Sequence, residues 1–246
     1  MNIKIEFSYN GQAYYGIQKQ NNKLTIQGEI ERALKELFNE DIPLIIAGRT
    51  DKGVSAHKMV ANFFIETKIE PSKICYALNY KLPNDIRILK SERVNDEFHA
   101  RYSAKLKTYK YGLYVNKFEL PLFNFETQFK TPLNFLKMKK AIKYFKGTHD
   151  FSAFITHSEE IENKVRNIKK VKLKRINFLG VNHYYFYFTG TGFLYNQVRI
   201  MVGTLILVGL NKIKPKDIKK ILKSCNRSLA GSVMPANGLV LEELKY

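Results

Sequence analysis

The first part of the chain alternates strand-like and helix-like patterns of apolar residues. Ile3, Ile5 and Phe7 alternate with polar residues, which is the period of a half-buried strand. After Thr25, apolar residues recur three or four positions apart as far as Leu37, which predicts an amphipathic helix. Apolar runs predict further strands at residues 42–47, 60–65 and 85–94, and a short helix at residues 72–80.

The second part of the chain repeats this order more loosely. Its predicted strands lie at residues 106–115, 165–177, 181–189 and 239–244, and its predicted helices at residues 133–145, 195–210 and 216–224. Residues 118–132 lack a regular pattern and are predicted to form an irregular connection. The element order predicts an α+β protein of two similar α/β-sandwich-like halves, residues 1–105 and 106–246, that share a sheet.

Charge gives the first indication of a partner. The 41 lysine and arginine residues exceed the 22 aspartate and glutamate residues, and the formal charge is +19. A field of this sign attracts phosphates and makes binding salt-sensitive. Because the basic residues are spread along the whole chain, they indicate a basic folded surface rather than a basic tail. We therefore predict a nucleic-acid-binding protein, with RNA as the first candidate; a lysine-rich composition without any partner is the alternative.

Cysteine content and hydropathy argue against several classes of protein. Cys75 and Cys225 are too few for a disulfide framework and stand in no metal-ligand spacing. The first ten residues alternate in polarity and do not resemble a signal peptide. The longest apolar stretch, residues 200–210, is far shorter than the roughly 20 residues of a membrane helix. These features predict a soluble cytoplasmic protein with reduced thiols and no membrane contact.

The segment most suggestive of chemistry is Gly48-Arg49-Thr50-Asp51-Lys52-Gly53. It sets one carboxylate in a glycine-bounded turn, where Arg49 and Lys52 favour the ionised form of Asp51. Such a carboxylate can serve as nucleophile, general base or metal ligand. Because no second acidic residue lies nearby, metal binding and paired-carboxylate glycoside chemistry lose support, and we predict no metal site. On spacing alone, an ordinary aspartate of a β-turn is the simpler interpretation.

Other catalytic patterns are weak or absent from the sequence. His57 lies six residues after Asp51, so a small-molecule hydrolase that uses the two side chains has to be considered. No serine stands in a nucleophile elbow, and neither cysteine has an activating context. The sequence also contains no phosphate-binding loop and no dinucleotide-binding glycine pattern.

Two further features involve aromatic and cationic residues. Tyr109 and Tyr111 alternate with lysines, a composition equally typical of a base-stacking platform in a basic groove and of an ordinary strand. Arg199 stands near the start of a largely apolar helix, where a buried guanidinium needs a carboxylate partner. Asp51 is a candidate for that partner.

Six ordered motifs resemble those of the TruA-type pseudouridine synthases. The turn from Gly48 to Ala56 matches the family signature G-R-T-D-x-G-V-x-A. The other matches are Gly16-Ile17-Gln18 with Thr25-Ile26-Gln27-Gly28, Phe98-His99-Ala100-Arg101 with Thr108-Tyr109-Lys110-Tyr111, His149-Asp150-Phe151 with Ala153-Phe154, the run from Phe193 to Arg199, and Gly238-Leu239-Val240-Leu241. They span nearly the whole chain in order, which argues strongly against coincidence.

The resemblance implies isomerisation of uridine to pseudouridine in RNA, with no cofactor and no required metal. It implies that Asp51 is the catalytic carboxylate, which attacks the flipped nucleotide at the base or the sugar so that uracil can detach, rotate and rejoin through carbon. Tyr109 would stack on the target base, Arg199 would pair with the catalytic carboxylate, and Arg49 would help to hold the nucleotide out of its helix.

The resemblance also implies a fold, a partner and a substrate. The fold would have two halves joined through one large, mostly antiparallel central sheet with a cationic cleft between them, usually in a homodimer that binds an RNA stem-loop. The commonest family substrate is tRNA, at positions 38, 39 and 40 of the anticodon arm. The chain has Ile17 where many members have an aromatic residue, which leaves the choice of RNA open. A paralogue acting on ribosomal RNA and a non-catalytic RNA-binding protein are the alternatives.

Overall fold

The computed structural model describes residues 1–156 and 162–246. In these residues the chain forms ten β-strands and five α-helices. The strands belong to a mixed, mostly antiparallel sheet, which confirms the predicted α+β class. Two compact units can be distinguished: the first comprises Met1–Lys105 with Val240–Tyr246, and the second comprises Leu106–Leu239.

The elements are numbered in chain order. The strands are β1 (Asn2–Tyr9), β2 (Ile45–Ile46), β3 (Ser55–Phe64), β4 (Ile86–Val94), β5 (Leu106–Val115), β6 (Thr127–Phe129), β7 (Gly147–Asp150), β8 (Val165–Phe178), β9 (Val181–Gly190) and β10 (Leu239–Lys245). The α-helices are α1 (Ile26–Phe38), α2 (Ile74–Lys81), α3 (Phe135–Ala141), α4 (Gln197–Gly209) and α5 (Asp217–Ser224).

In the first unit, the strand order is β4-β1-β3-β10, and β2 pairs with β3. Strand β1 is antiparallel to both β3 and β4, whereas β10 runs parallel to β3. Ile3, Ile5 and Phe7 are fully buried, as their alternation predicts. Thr25 caps α1, because its hydroxyl accepts a hydrogen bond from the N–H of Gly28.

In the second unit, the strand order is β5-β9-β8-β7, and β6 lies parallel to β5. Strands β8 and β9 form a hairpin that turns through Leu179 and Gly180, both with positive φ. A two-residue hairpin turn of the favoured hand requires this backbone at both positions. Glycine adopts it readily, whereas leucine does so at an energetic cost.

The helices of the second unit differ in burial. Almost every residue of α4 is buried, as its apolar sequence predicts, whereas the short α5 buries one face. Helix α4 packs closely on the segment that follows α5, because a Cβ at Gly203 would lie only 2.1 Å from the carbonyl oxygen of Ser232. In the described part of the chain, none of the helices is long and apolar enough to cross a bilayer.

Two short strands differ from the sequence-based expectation. Strand β6 lies within the segment predicted to be an irregular connection, and β7 was not predicted. Three or four residues are too few to display an alternating pattern, so these strands are defined by their pairing with β5 and β8. The predicted helix at residues 133–145 is α3 followed by a 3₁₀ turn at Ile142–Phe145.

Candidate active site

Asp51 lies in the loop of residues 47–54, which joins β2 to β3 in the first unit. Its side chain is half-buried, whereas the neighbouring Arg49 and Lys52 are exposed. The loop ends in a tight turn, where the N–H of Val54 donates to the carbonyl of Asp51 at 3.1 Å and Gly53 has a φ of 80°. Glycine adopts this left-handed backbone without strain, which explains why the motif has a glycine two positions after Asp51.

Three hydrogen bonds between residues 9–17 and this loop hold it in place. The hydroxyls of Tyr9 and Thr50 lie 2.7 Å apart, and both side chains are buried. The N–H of Ile17 donates to the carbonyl of Thr50 at 3.3 Å, and the N–H of Gly53 donates to the carbonyl of Tyr14 at 3.3 Å. Since Thr50 directly precedes Asp51, these bonds fix the backbone that carries the carboxylate.

Residues 9–17 are in turn anchored on α1. The carbonyls of Gly16 and Ile17 accept hydrogen bonds from the N–H groups of Ile26 at 3.4 Å and Gln27 at 2.9 Å. These donors belong to the first turn of a helix, where N–H groups have no intrahelical partner. Ile17 is only 1% exposed, so the position at which many TruA-type enzymes carry an aromatic residue belongs to the core of this unit.

Close packing reinforces the hydrogen bonds around the loop. Gly16 has a φ of 96°, and a Cβ at this position would lie 2.8 Å from the carbonyl oxygen of Thr50. Gly11 lies even closer to the end of the loop, because a Cβ there would lie 1.9 Å from the carbonyl oxygen of Val54. Both glycines are therefore required for the close approach of the two backbones.

His57, the other candidate near the loop, has a different neighbour. It lies in β3, and its Nδ1 is 3.0 Å from a carboxylate oxygen of Glu242 in β10. This contact gives the imidazole a carboxylate neighbour on β10. The hydrolase hypothesis, in which His57 works with Asp51, loses support.

Tyr109 lies in β5 of the second unit and is half-buried. Its ring packs edge-on against Phe193, with a centroid distance of 5.2 Å. Tyr111 follows on the same face of the strand but is fully buried, and its hydroxyl bonds to Thr127 at 2.6 Å and to the carbonyl of Pro235 at 2.9 Å. Burial raises the pKa of Tyr111 well above its ordinary value. Tyr111 is thus a core residue, and the predicted stacking platform is reduced to Tyr109.

Arg199 lies in the first turn of α4 and is half-buried. Its Nε donates to the carbonyl of Met234 at 2.6 Å, and one terminal nitrogen donates to the side-chain oxygen of Asn196, also at 2.6 Å. Asn196 itself has a positive φ of 57° where it begins the helix. Two short bonds from adjacent edges fix the plane of the guanidinium.

The four predicted site residues are divided between the units: Arg49 and Asp51 belong to the first, and Tyr109 and Arg199 to the second. Sequence reasoning missed Tyr9 as a support of the Asp51 loop. The available signal was the alternation of β1, which places Tyr9 on the same side as Phe7, next to the core. Within residues 1–156 and 162–246, no cluster of three or more histidine, cysteine or acidic side chains forms a candidate metal site.

Comparison with known proteins gives consistent matches. Residues 6–103 and 141–246 match the family model described as tRNA pseudouridine synthase. A protein named tRNA pseudouridine synthase A from Acetivibrio thermocellus is 44% identical over 246 residues, covering 100% of this chain and 99% of the relative. A protein of the same name from Thermoanaerobacter sp. (strain X514) is 43% identical, covering 100% of this chain and 99% of the relative. Another from Limosilactobacillus reuteri (strain DSM 20016) is 42% identical, covering 99% of this chain and 96% of the relative.

Proposed function

We propose that this chain, which belongs to the tRNA pseudouridine synthase family, isomerises uridines 38, 39 and 40 in the anticodon arm of tRNA. Family membership over nearly its full length makes it an isomerase that acts on tRNA. The observation that carries the proposal to individual residues is the Asp51 loop, whose signature is intact and whose backbone is clamped by Tyr9 and Ile17.

The reaction exchanges one glycosidic bond for another. The bond between N1 of uracil and C1′ of the ribose breaks, the base rotates, and a bond forms between C5 and C1′, while C5 loses a proton and N1 gains one. Substrate and product have the same composition and oxidation state, so the reaction needs no oxidant or reductant. Asp51 supplies the nucleophile, and a loop that fixes this carboxylate before RNA arrives contributes through orientation.

Tyr109 and Arg49 are proposed to handle the flipped nucleotide. The ring of Tyr109 is held edge-on by Phe193, so it offers a rigid surface on which the target base stacks. Stacking of this kind contributes about 1–3 kcal/mol per base. Arg49 is exposed two positions before Asp51, where its cationic side chain contacts the nucleotide while it is out of its helix.

Arg199 is proposed to pair with the catalytic carboxylate. Its guanidinium is oriented by the hydrogen bonds to Met234 and Asn196, which suits a directional pair with a carboxylate. A cation at this place favours the ionised, nucleophilic form of Asp51.

We further propose that the chain consists of two α+β halves, residues 1–105 and residues 106–246. Asp51 belongs to the first half and Arg199 to the second. We also propose that the enzyme works in the cytoplasm, together with its tRNA.

The test uses the purified full chain, tRNA with uridines at positions 38–40, and chemical mapping of pseudouridine. We expect modification by the wild type and none by Asp51→Asn, which retains the shape of the side chain but removes the nucleophilic carboxylate. Asp41→Asn is the matched control, because the Asp41 side chain is 83% exposed and pairs with Lys35 outside the loop. Its activity should equal that of the wild type.

Three outcomes contradict parts of the proposal. Full activity of Asp51→Asn would remove Asp51 from the chemistry. Pseudouridine in ribosomal RNA but not in tRNA would identify the ribosomal paralogue. RNA binding that survives Asp51→Ala, together with a wild type that modifies no RNA, would favour the non-catalytic binding protein.

The homodimer is proposed on a separate feature, an exposed apolar patch in the second unit. Six large apolar residues in the two segments 118–125 and 176–179 are exposed and are here called the patch: Phe118, Leu122, Phe125, Ile176, Phe178 and Leu179. Contact between the rings of Phe123 and Phe178, at 6.4 Å, joins its two chain segments. With ~200 Å² for a fully exposed large apolar residue, the exposed fractions amount to roughly 800 Å², which is about one partner's share of a standard protein interface.

A further observation favours a covered patch. Leu179 is 80% exposed and has a φ of 51°, so both solvation and backbone strain disfavour leucine here in an isolated subunit. A second copy would cover the exposed apolar side chains.

Light scattering after size-exclusion chromatography tests the homodimer. Leu122→Asp should convert a dimer to a monomer, because Leu122 is 93% exposed in the patch. Leu136→Asp is the control, since Leu136 is also exposed but lies on α3 outside the patch. A wild type that is monomeric, or a Leu122→Asp variant that stays dimeric, would contradict this interface.

A further inference from the structure

An exposed aromatic ring lies beside the Asp51 loop with two lysines over it. Tyr15 is 43% exposed. The Nζ of Lys52 lies 4.1 Å from the centroid of its ring, and the Nζ of Lys23 lies 5.4 Å from it. Both distances are within the range of cation–π contacts. Lys52 directly follows Asp51 in the chain, so this group, here called the Tyr15 patch, borders the loop that carries the carboxylate.

The charge of the Tyr15 patch is not balanced by acidic side chains. In the described part of the chain, neither Lys23 nor Lys52 forms an ion pair with a carboxylate. Apart from its place over the Tyr15 ring, the Nζ of Lys23 donates to the side-chain oxygen of Gln20 at 3.4 Å. Lys19 provides the contrast, because it pairs with Glu31 at 2.8 Å and this pairing raises its pKa. Two lysines without acidic partners beside an aromatic ring are a suitable contact for phosphates.

The backbone of Tyr15 is fixed on both sides while its ring stays accessible. Its N–H donates to the carbonyl of Leu24 at 2.9 Å, and its carbonyl accepts a hydrogen bond from the side-chain amide of Gln20, also at 2.9 Å. A ring on a fixed backbone loses little conformational entropy when a partner binds. The lysine side chains, in contrast, are long and exposed, so they can move from the ring to a phosphate.

We propose that the Tyr15 patch is a binding site for the RNA strand that flanks the target nucleotide. The ring of Tyr15 stacks on a base or ribose of this strand, and Lys23 and Lys52 contact its phosphates. Aromatic rings combined with cations bind single-stranded RNA with little dependence on sequence. The inference rests on the proposed function, because it takes RNA as the substrate and the Asp51 loop as the place of reaction.

Separate measurements of KM and kcat distinguish RNA binding at the Tyr15 patch from the chemistry of Asp51. We expect Tyr15→Ala to raise the KM for tRNA about tenfold, within the range found for loss of one stacked base, while kcat stays unchanged. Tyr15→Phe keeps the ring and should restore the wild-type KM, whereas Tyr15→Leu should behave like Tyr15→Ala. Tyr80→Ala is the matched control, because Tyr80 is 92% exposed on α2 of the same unit, and it should change neither constant.

Salt dependence tests the role of Lys23. Lys23→Gln should lower the slope of log affinity against log salt by about 0.7, the value for one phosphate contact on a single strand. The affinities are measured with an anticodon stem-loop RNA in the Asp51→Asn background, so they do not require turnover. An unchanged slope would remove Lys23 from the contact.

Several results would refute the RNA contact at the Tyr15 patch and leave the proposed function intact. Equal KM values for Tyr15→Ala and Tyr80→Ala on an active enzyme would exclude the contact. A Tyr15→Phe variant as defective as Tyr15→Ala would assign the effect to the hydroxyl rather than to stacking. A fall in kcat at constant KM would place Tyr15 among the supports of the Asp51 loop. Failure of the proposed function would instead appear as an inactive wild type.

Discussion

Removing the hydroxyl of Tyr9 tests whether the hydrogen bonds that hold the Asp51 loop matter for catalysis. In the wild type this hydroxyl and that of Thr50 are 2.7 Å apart, and the two side chains are 4% and 8% exposed. Tyr9→Phe leaves the buried Thr50 hydroxyl without this partner, which costs about 1–3 kcal/mol. Because Thr50 is covalently joined to Asp51, part of this penalty is relieved by movement of the loop that carries the carboxylate.

The size of the catalytic effect follows from orientation. A displacement of about 1 Å in a reacting group lowers the rate by about 100-fold. We therefore expect Tyr9→Phe to lower kcat by about 10- to 100-fold while the KM for tRNA changes little, since no RNA contact is removed. The assay uses tRNA tritiated at C5 of uracil, because the new glycosidic bond forms at this carbon and releases the tritium.

A double variant sharpens this prediction. Thr50→Val should lower kcat by a similar factor, because it leaves the Tyr9 hydroxyl without the same partner. The double variant of Tyr9→Phe and Thr50→Val removes both hydroxyls. Its loss in free energy of unfolding should therefore be smaller than the sum of the losses in the two single variants. A simple sum of the two losses would refute the idea that this pair acts as one unit.

The control for Tyr9→Phe removes a comparable hydroxyl far from the loop in sequence. In the second unit, the hydroxyl of Tyr185 donates to Glu126 at 2.9 Å. Tyr185→Phe should lower the melting temperature as Tyr9→Phe does, but it should leave kcat unchanged. If both variants lose stability and both retain kcat, the Tyr9 hydrogen bond contributes to folding alone and the reasoning is wrong.

Three other substitutions test separate features. Gly16→Ala places a methyl group 2.8 Å from the carbonyl oxygen of Thr50 at a φ of 96°, so it should destabilise the protein by about 1–3 kcal/mol in urea titrations. Tyr14→Phe removes a hydrogen bond to Asp85. Burial and this bond raise the pKa of Tyr14 in the folded state. The wild type should therefore be more stable than the variant below pH ~10, and this difference in free energy of unfolding should diminish above that pH. Leu179→Asn relieves a strained turn position and should raise the melting temperature of the monomer while it weakens self-association.

The fold was predictable where one residue pattern continued over a whole element. Strand β5 spans the predicted residues 106–115, and α1 begins directly after Thr25, where the helical spacing starts. Strand β3 begins at Ser55, earlier than its apolar run predicts. The reason is that its first polar residues have partners elsewhere: the hydroxyl of Ser55 accepts a hydrogen bond from Gly11, and His57 contacts Glu242. Such partners are set by tertiary structure, which local periodicity does not encode.

The candidate site was predictable only as far as its motif extends. Asp51 and Arg49 stand together in a recognisable turn, but Tyr9 is 41 positions from Thr50, and nothing in the spacing links the two. Tyr109 and Tyr111 have the same pattern and share a face of β5, yet only Tyr109 stays half-exposed, because Tyr111 is covered by its contacts with residues 127 and 235. Alternation assigns residues to faces of a strand and does not determine what covers each face.

The segment of residues 9–17 connects the two functional proposals, because it both clamps the Asp51 loop and carries Tyr15. If the segment is a rigid frame held by α1, then Tyr15→Ala changes KM, Tyr9→Phe changes kcat, and the losses in log kcat/KM add in the double variant. If RNA binding at Tyr15 instead moves the loop into place, the double variant is less impaired than the sum. We expect additivity, because three hydrogen bonds and the close approach of Gly16 already fix the loop before RNA binds.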